Sequence, residues 1–414
     1  MKKPNINLLK QCRACNGSKL ERFLHLPRMP FTDEFVRANE AGSEFLEDID
    51  IYLCEDCFTV QTQKDVDVSA YYEDYQYSVG ASPTASRFFN LLARNLKNSY
   101  YPGVDGKKVL EIGSGDGEQL LAFKETGCHV LGFEPSSVLC EVARGKGIES
   151  VQGLFTKDSI ASLPTAFQEV DVVMLSYTFD HLPEPRNFLA AAKTILNKSN
   201  GLLVVEIHSL EKIVERQEFC LFEHEHSIYL TESTVCGICQ MEGFDVISFN
   251  LIPESDRRAN SLIFVATPKG SLFSEQVVNP LTSPLFSSRD FYNQISESIY
   301  KGIANLDRFV NERIDQGKTI AGYGAGGRGV MTLAAMSSAQ KLKYLVDKKP
   351  KQSGLMTPRS HISVASIDEL KTNPVDKILV FSFGYIEEIK SEVGRLGYLP
   401  NQFHSLLDIL AGRF

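Results

Sequence analysis

Short apolar runs alternate with helical patterns through the middle of the chain. The runs Val109–Ile112, His129–Phe133 and Asp171–Ser176 have the length of buried strands, and a helical pattern begins at Glu118. Buried strands that alternate with amphipathic helices are typical of a parallel sheet covered by helices. This pattern predicts an α/β domain.

The last third of the chain shows the same type of pattern after a change in composition. Residues 269–289 are rich in Gly, Ser, Pro and Asn and predict a linker, and Phe291–Ile314 has the apolar stripe of an amphipathic helix. A strand at Thr319–Tyr323, a glycine turn, a helix at Arg328–Ala335 and a strand at Leu342–Val346 follow. These elements predict a second α/β unit.

The first 70 residues contain two CxxC pairs, Cys12 with Cys15 and Cys54 with Cys57. Each spacing lets two thiolates converge on one ion, and two pairs complete a tetrahedral site with no open position. The odd total of nine cysteines argues against a disulfide framework. We predict a structural Zn²⁺ ion at these four residues. The alternative is two unrelated pairs of core cysteines.

A third CxxC pair, Cys236 and Cys239, lies in a different pattern. Thr231 or Ser233 is suited to cap a helix, apolar residues follow at helical spacing, and Gly243 would end the helix before a strand. Because cysteines three positions apart share one helix face, we interpret this pair as core packing.

Together these patterns predict three domains. Residues 1–70 form the zinc-binding module, residues 71–268 form the first α/β domain, and residues 269–414 form the second. A chain of 414 residues is long enough for this number of domains.

Charge and hydropathy restrict the classes of partner. The formal net charge is −9, which argues against a broad nucleic-acid-binding surface. No apolar run approaches the roughly 20 residues of a membrane span, and the N-terminus lacks the apolar segment of a secretory signal. We expect a cytoplasmic protein with no nucleic-acid or membrane partner, as a monomer or a small homo-oligomer.

Three glycines at GxGxG spacing, Gly113, Gly115 and Gly117, link the first strand of the middle region to a helix. Glycines let the backbone turn sharply there and pass close to a ligand. Glu111 lies within the strand and Asp116 within the turn. These carboxylates would repel a pyrophosphate and favour a cationic or zwitterionic ligand.

Glu134 ends the second strand, 21 residues beyond Gly113, where a carboxylate can accept hydrogen bonds from ribose hydroxyls. EIGSGDG, Glu134 and DVVMLSYTFDHL together resemble the class I S-adenosylmethionine (SAM)-dependent methyltransferases. The resemblance implies a Rossmann-like methyltransferase domain in which Gly113, Gly115 and Gly117 lie beside the methionine and ribose parts of SAM. It also implies that Glu134 holds the ribose, and Glu111 completes the predicted cofactor-binding set.

The whole chain resembles a narrower group, the C-methyltransferases that act on nucleotide-linked keto-deoxysugars. The order of CxxC module, methyltransferase core and GYGAGGRG (322–329) carries this resemblance, together with DYQYSVGASPT (74–84), HEHSIYLT (224–231) and VDKKPKQSG (346–354). It implies a nucleotide-linked 4-keto-deoxysugar as the substrate. It also implies SAM-dependent methylation at C3, next to the ketone, through an enolate.

Two glutamates and two histidines alternate in LFEHEHSIY: Glu223, His224, Glu225 and His226. The family pattern is close to Tyr-His-Glu-His, so Glu223 stands where a tyrosine is usual. The resemblance implies that His226 is the general base and that Glu225 orients it or contacts the substrate. The ordinary pKa of histidine, about 6.5, suits proton abstraction. Glu223 and His224 complete this part of the predicted catalytic set. The alternatives are a metal site at His224 and His226, and a solvated loop.

Two further residues join the predicted catalytic set. His181, after the third strand, resembles the second active-site histidine of the family, and Tyr77 resembles its active-site tyrosine. Either side chain is suited to stabilise an enolate oxygen. Three other tyrosines lie nearby: Tyr71, Tyr72 and Tyr75. His208, at the end of another predicted strand, is a candidate lining residue.

The C-terminal glycine turn allows a competing prediction. Gly322, Gly324 and Gly327 fit GxGxxG, and Asp347 lies 20 residues past Gly327, a spacing typical of NAD sites. The resemblance implies instead that this Rossmann-like domain helps to bind the sugar nucleotide, with Arg328 near the diphosphate. The alternative functions are an O- or N-methyltransferase of a sugar nucleotide, an NAD(P)-dependent sugar oxidoreductase, and a non-enzymatic binding protein.

Overall fold

The structure of the protein is a computed structural model. It describes residues 4–68, 72–73, 83–258, 260–348 and 353–414, without the side chains of Pro83 and Thr84. Tyr77, most of residues 74–84 and part of residues 346–354 therefore lie outside the described residues.

The N-terminal module is built on a small antiparallel sheet. Its strands are β1 (Ile6–Leu8), β2 (Leu20–Met29), β3 (Glu47–Cys54), β4 (Val60–Thr62) and β5 (Lys64–Val66). Strands β2, β3 and β4 pair in this order, and β1 pairs with β5 in a separate ribbon. A strand from the middle of the chain, β11 (Ile228–Tyr229), joins the edge of the sheet through its pairing with β4. The N-terminal module thus holds the segment directly after His226.

The middle domain is a seven-stranded sheet with helices on both faces. The seven strands of this sheet are β6 (Lys108–Ile112), β7 (His129–Glu134), β8 (Ser150–Gln152), β9 (Val172–Ser176), β10 (Leu202–His208), β12 (Phe244–Ser248) and β13 (Ser261–Pro268). The spatial order is β12-β13-β10-β9-β6-β7-β8. The five strands from β10 to β8 are parallel, and β13 runs antiparallel to both of its neighbours.

Helices cover both faces of this sheet, which explains why its central strands are almost continuously apolar. The helices are α1 (Pro83–Tyr100), α2 (Glu118–Glu125), α3 (Ser137–Gly145), α4 (Pro185–Ile195), α5 (Leu210–Glu215) and α6 (Glu232–Met241). Thr231 caps α6 in a reciprocal capping box with Thr234, and Gly243 follows the helix with a φ of 74°. Cys239 is buried in the core and Cys236 is half-buried beside it, as the core-packing interpretation requires.

The C-terminal domain is a five-stranded parallel sheet that follows a long helix. Its helices are α7 (Arg289–Asp315), α8 (Gly327–Ala335), α9 (Glu369–Thr372), α10 (Ile386–Gly394) and α11 (Leu406–Leu410). Its strands are β14 (Ile320–Tyr323), β15 (Leu345–Asp347), β16 (Val364–Ser366), β17 (Lys377–Val380) and β18 (Phe403–Ser405). Numbered along the domain, the order β16-β15-β14-β17-β18 is 3-2-1-4-5, which matches the first five strands of a Rossmann fold. The predicted α/β fold class is confirmed.

One apolar core joins the N-terminal module to the C-terminal domain. Ile51 on β3, Tyr292 and Phe309 on α7, Met331 on α8 and Leu379 on β17 belong to the same buried cluster. The stripe predicted on α7 is the face that enters this core. Residues 269–288, all described, contain only short 3-10 turns between β13 and α7. Among the described residues, no helix is long and apolar enough to cross a membrane.

Candidate active site

The four predicted zinc ligands lie together in the N-terminal module. The Sγ atoms of Cys12 and Cys57 are 3.6 Å apart, as are those of Cys15 and Cys54. All four sulfur atoms lie within 4.8 Å of one another. A Zn–S bond of about 2.3 Å gives sulfur separations of about 3.8 Å in a tetrahedron, so this geometry fits zinc.

The backbone explains how each CxxC pair forms a compact knuckle. Asn16 and Phe58, each next to the second cysteine of its pair, have φ values of 60°. This left-handed conformation folds the chain back toward the first cysteine. The backbone N–H groups of Ala14 and Gly17 donate to the sulfur atoms of Cys12 and Cys15, which stabilises thiolates.

The glycine turn of the middle domain has one open position. Gly113, Gly115 and Gly117 have φ values of 70°, 52° and 74°. A Cβ on Gly113 would lie 2.5 Å from Thr178 Oγ1, and one on Gly117 would lie 3.0 Å from Ala143 Cβ. Apart from its chain neighbours, no atom of the described residues lies within 4 Å of a Cβ placed on Gly115. Gly115 is therefore the position where a ligand can approach the backbone.

Glu134 holds this turn at the end of β7. Its Oε2 accepts a hydrogen bond of 2.8 Å from the Gly115 N–H, and its Oε1 accepts one of 2.9 Å from the Ser136 N–H. Burial raises the pKa of Glu134 above its ordinary value. Each oxygen keeps a further lone pair that can accept a ribose hydroxyl.

The two acidic groups of the turn have different surroundings. Glu111 accepts a hydrogen bond of 2.7 Å from Gln119, while its Oε2 is buried with no partner among the described residues. Burial raises the pKa of Glu111 strongly. Asp116 lies 3.1 Å from the ammonium group of Lys146, so the protein itself neutralises part of the charge predicted to face a ligand.

Three histidines from separate elements converge near this turn. His181 follows β9, His208 ends β10, and His226 precedes β11. The ring centroid of His226 lies 4.5 Å from that of His181 and 4.9 Å from that of His208. Because the carboxyl ends of parallel strands β9 and β10 meet at one edge of the sheet, these side chains share the place where such folds bind ligands.

His226 is held as a neutral imidazole. Its Nδ1 lies 2.8 Å from the carbonyl oxygen of Leu221, which accepts only, so Nδ1 carries the hydrogen. Its Nε2 therefore has a free lone pair and lies 3.8 Å from Glu223 Oε2. Burial, together with the neighbouring His181 and His208, lowers the pKa of His226 to about 3.

Asp180 supplies the negative charge of the cluster, and the sequence did not single it out. Its Oδ2 accepts a hydrogen bond of 2.7 Å from His208 Nδ1. Burial opposes ionisation, but the hydrogen bond from His208 and the nearby His181 and His226 hold the pKa of Asp180 below its ordinary value. A carboxylate directly after a buried strand, next to the predicted His181, is the signal that could have found it.

The tyrosine that contacts His181 in the described residues is Tyr72. Its hydroxyl lies 2.7 Å from His181 Nδ1. Burial lowers the pKa of His181, so this ring is neutral at neutral pH. Tyr77 lies outside the described residues and stays a prediction.

Glu223 and Glu225 both face the site from the turn before β11. The Glu223 carboxylate has no hydrogen bond among the described residues, and burial and the nearby Glu225 raise its pKa well above the ordinary value. Glu225 accepts a bond of 3.4 Å from the Thr32 hydroxyl, and its Oε2 is buried without a partner in the same described part. Burial raises the pKa of Glu225 to about 7. These carboxyl groups therefore carry protons at a higher pH than exposed glutamates.

His224 points away from the other histidines. Its Nε2 donates to the Met29 carbonyl oxygen at 2.9 Å, and its ring packs edge-on against Phe31 and Phe45. The turn at residues 223–226 explains this, because a turn does not place alternate residues on one face as a strand does. The structure thus separates His224 from His226, and the two do not form the alternative metal pair.

One other ligand set is geometrically possible among the described residues. Single donor atoms of Asp180, His208 and His226 lie within 4.8 Å of one another. Asp180 Oδ2 already accepts a hydrogen bond from His208 Nδ1, so the structure shows this set as a hydrogen-bonded group.

The C-terminal glycine turn faces the same site from the opposite side. A Cβ on Gly327 would lie 3.3 Å from Glu223 Oε1 and 3.4 Å from the Thr32 side chain. The Arg328 guanidinium lies 3.5 Å from buried Glu218 and 5.4 Å from the Phe383 ring centroid. The N-terminus of α8 thus forms one wall beside Glu223.

Three family models match successive parts of the chain. A zinc binding domain matches residues 12–72, a methyltransferase domain matches residues 84–249, and a C-methyltransferase C-terminal domain matches residues 282–397. The chain is a SAM-dependent methyltransferase. The enzyme contains the class I methyltransferase core and the four-cysteine site for Zn²⁺ that the sequence predicted, and both predicted cofactors are confirmed.

One relative of the enzyme matches nearly its whole length, and others match only its core. It is 23% identical over 389 residues to the C-methyltransferase NovU of Streptomyces niveus. This alignment covers 92% of this chain and 91% of that relative. It is 30% identical over 112 residues to the ubiquinone biosynthesis O-methyltransferase of Pasteurella multocida. That alignment covers 24% of this chain and 46% of the relative. The solved CcbJ methyltransferase from Streptomyces caelestis overlaps 49% of this chain and 96% of its own, with 16% identity and a TM-score of 0.35. That TM-score is too low to add to the argument.

The residues of the middle turn fit SAM as a ligand. The free Oε2 of Glu111 can accept from an ammonium group, and Gly115 leaves room beside the backbone. Glu134 keeps lone pairs for ribose hydroxyls. These carboxyl oxygens match the hydrogen-bond donors of SAM, which are its ammonium group and its ribose hydroxyls.

Proposed function

We propose that the enzyme methylates carbon 3 of a nucleotide-linked 4-keto-deoxysugar through an enolate. The observation that carries this proposal is the neutral His226, whose Nε2 lone pair lies among convergent histidines beside the cofactor turn. The name of NovU, C-methyltransferase, and the match of the C-terminal domain support carbon rather than oxygen as the acceptor.

The chemistry explains why a carbon acceptor needs this cluster. A C–H carbon becomes nucleophilic only after it loses a proton, and an adjacent ketone lowers the cost of that loss. His226 is the predicted base, and its tautomer leaves Nε2 ready to accept the proton. A hydroxyl oxygen already carries nucleophilic lone pairs, so an oxygen acceptor depends less on such a base than a carbon acceptor does.

The negative charge that develops on the ketone oxygen needs hydrogen-bond donors. The pair Tyr72–His181 offers an O–H or N–H group next to His226. Glu225 is a further donor when its carboxyl group is protonated, which its raised pKa of about 7 permits. Preorganised donors of this kind lower the energy of an enolate.

Gly115, Glu134 and Glu111 would hold SAM at the glycine turn. When bound, SAM supplies a methyl group activated on a positively charged sulfur. The role of these residues is to orient that group toward the substrate carbon, because alignment of the reacting atoms contributes much of the rate enhancement.

The nucleotide part of the substrate would bind against the C-terminal domain. The first turn of α8 presents backbone N–H groups next to Arg328, which suits a diphosphate. The half-exposed Tyr385 offers an aromatic surface for a base. The NAD alternative has less support, since Ser382 fills the space beside Gly324 and Gly327 abuts Glu223.

The test incubates candidate keto-deoxysugar nucleotides with the enzyme in D₂O, with and without SAM, and follows substrate mass. We expect deuterium uptake without SAM, a gain of one methyl mass with SAM, and loss of both in His226→Asn by a factor of at least about a hundred. A no-enzyme control corrects for spontaneous exchange. A methyl gain with the C–H bond retained would instead indicate O- or N-methylation.

A further inference from the structure

The hydrogen bond between Asp180 and His208 gives His208 a carboxylate partner, whereas the hydrogen-bond partner of His226 Nδ1 is a carbonyl group. Asp180 is 3% exposed, and its Oδ2 accepts from both the side-chain Nδ1 of His208 at 2.7 Å and the backbone N–H of the same residue at 3.2 Å. Two bonds from one residue fix the carboxylate against the imidazole ring. His208 therefore presents its other ring nitrogen in one orientation.

His226 and His208 differ in how well they tolerate a positive charge. Nδ1 of His226 donates to a neutral carbonyl group, and the His226 side chain is 3% exposed. Nδ1 of His208 donates to a carboxylate, and the His208 side chain is 16% exposed. A carboxylate partner stabilises an imidazolium, whereas burial without a counter-ion destabilises it. His208 thus has a hydrogen-bonded carboxylate as a potential counter-ion, whereas the hydrogen-bond partner of His226 is neutral.

The two rings lie close enough for the proton to pass between them. Their centroids are 4.9 Å apart, and a nitrogen of each ring falls within the 4.8 Å that encloses the Asp180–His208–His226 set. One water molecule with hydrogen bonds of about 2.8 Å at each side spans this separation.

The remaining neighbours of His208 leave this charge balance in place. The Tyr177 ring lies 4.4 Å from the His208 ring, centroid to centroid, and the Arg258 guanidinium carbon lies 4.6 Å from the Tyr177 ring centroid. Glu206 pairs with Arg258 through both carboxylate oxygens. The nearby cation is thus neutralised and does not oppose a proton on His208.

We propose that His208 and Asp180 form the proton exit of the active site, which carries the substrate proton from His226 to solvent. This proposal rests on the proposed enolate mechanism. His208 acts as a proton acceptor and Asp180 as its positioning residue and counter-ion.

The proposed reaction has three steps: proton abstraction, methyl transfer and proton exit. The substrate C–H bond breaks, an N–H bond forms at His226 Nε2, and the electron pair stays on the substrate as the enolate. The enolate carbon then forms a bond to the methyl group as the bond between that methyl group and sulfur breaks, which leaves a neutral thioether. The proton moves from His226 through water to His208, and from there to solvent, so that His226 is again neutral.

The experiment compares two reactions of the full-length, zinc-loaded enzyme on the same keto-deoxysugar nucleotide in D₂O. Deuterium uptake without SAM requires both C–H cleavage and exit of the proton. A single turnover of methyl transfer with SAM requires C–H cleavage but not exit. In His208→Asn and Asp180→Asn we expect the ratio of uptake to methyl transfer to fall by roughly tenfold to a hundredfold, because the proton stays on His226 and returns to carbon.

Control variants separate this effect from damage to the fold. His129→Asn changes an exposed histidine at the start of β7 and should leave the ratio unchanged. His226→Asn should lose both reactions together. SAM binding and thermal unfolding of each variant establish that the measured protein is folded.

Three other outcomes would reject the proposal. A wild-type ratio in both folded variants shows that the proton leaves by another route. Equal loss of both reactions in folded variants places His208 in C–H cleavage rather than in exit. Absence of both reactions in the wild-type enzyme on every keto-deoxysugar tested rejects the enolate mechanism, and this proposal with it.

Discussion

The glycine turn at residues 113–117 and the glycine turn at residues 322–329 each link the first strand of a parallel sheet to a helix. Each is also held by an acid at the end of the next strand. Glu134 accepts from the Gly115 N–H at 2.8 Å, and Asp347 accepts from the Ala325 N–H at 3.0 Å. The local construction of the two turns is therefore the same.

The surroundings of the two turns are different. A Cβ on Gly113 of the first turn and one on Gly324 of the second would each lie 2.5 Å from a side-chain hydroxyl oxygen. A Cβ on Gly329 would in addition lie 2.1 Å from the Gly324 carbonyl oxygen, so the second turn packs its helix directly against its own backbone. Glycine spacing thus indicates a tight strand-to-helix connection, and the atoms around it decide whether a ligand can bind there.

The largest expected effect is on packing of the second turn. Gly329→Ala should lower the free energy of unfolding by about 3 kcal/mol, because the methyl group would collide with backbone rather than with a flexible side chain. Gly326→Ala is the matched control, since its φ is −88° and, in the part of the chain that the structure describes, only its chain neighbours lie within 4 Å of the new Cβ. Urea unfolding measures both. Wild-type stability in Gly329→Ala would show that this turn has free space after all.

A smaller effect is expected on cofactor binding at the first turn. Gly115→Ala places a methyl group on the open side and strains a residue with a φ of 52°, so the Kd for SAM should rise by about tenfold. Gly103→Ala is the control, because Gly103 lies outside the turn and has a φ of 70°. Among described residues beyond its chain neighbours, no atom lies within 4 Å of a Cβ placed there. Calorimetric titration with SAM compares them. An equal loss of affinity in both variants would attribute the effect to strain alone.

The smallest effect concerns the acid that holds the first turn. Burial raises the pKa of Glu134, so the folded protein keeps this proton to a higher pH than the unfolded chain does. The contribution of Glu134 to the free energy of unfolding is therefore largest below about pH 4.5, and it is lost as the pH rises through the pKa of Glu134 in the folded protein. Glu134→Gln should remove this slope, which is at most about 1.4 kcal/mol per pH unit. Unfolding curves without SAM at several pH values test this, and parallel curves for the two proteins would contradict it.

The sequence by itself determined the features that depend on local geometry. CxxC spacing predicted a cluster of four sulfur atoms, and the GxGxG turn and Glu134 predicted the cofactor loop. The apolar stripe predicted a helix at Phe291–Ile314, which the structure extends to Arg289–Asp315 as α7. Such features can be predicted because a few neighbouring residues fix the backbone, and the chemistry follows from their spacing.

Only the tertiary structure decided which side chains meet in the active site. Pairing of β11 with β4 brings His226 to His181 and His208, which lie at the ends of other strands. The turn at residues 223–226 sends His224 toward Met29, although the alternating sequence treats it like His226. The contact of Tyr72 with His181, and of Asp180 with His208, likewise joins segments that the sequence pattern could only place near one edge. These contacts depend on long-range packing, in which small changes of backbone direction move a side chain from one partner to another.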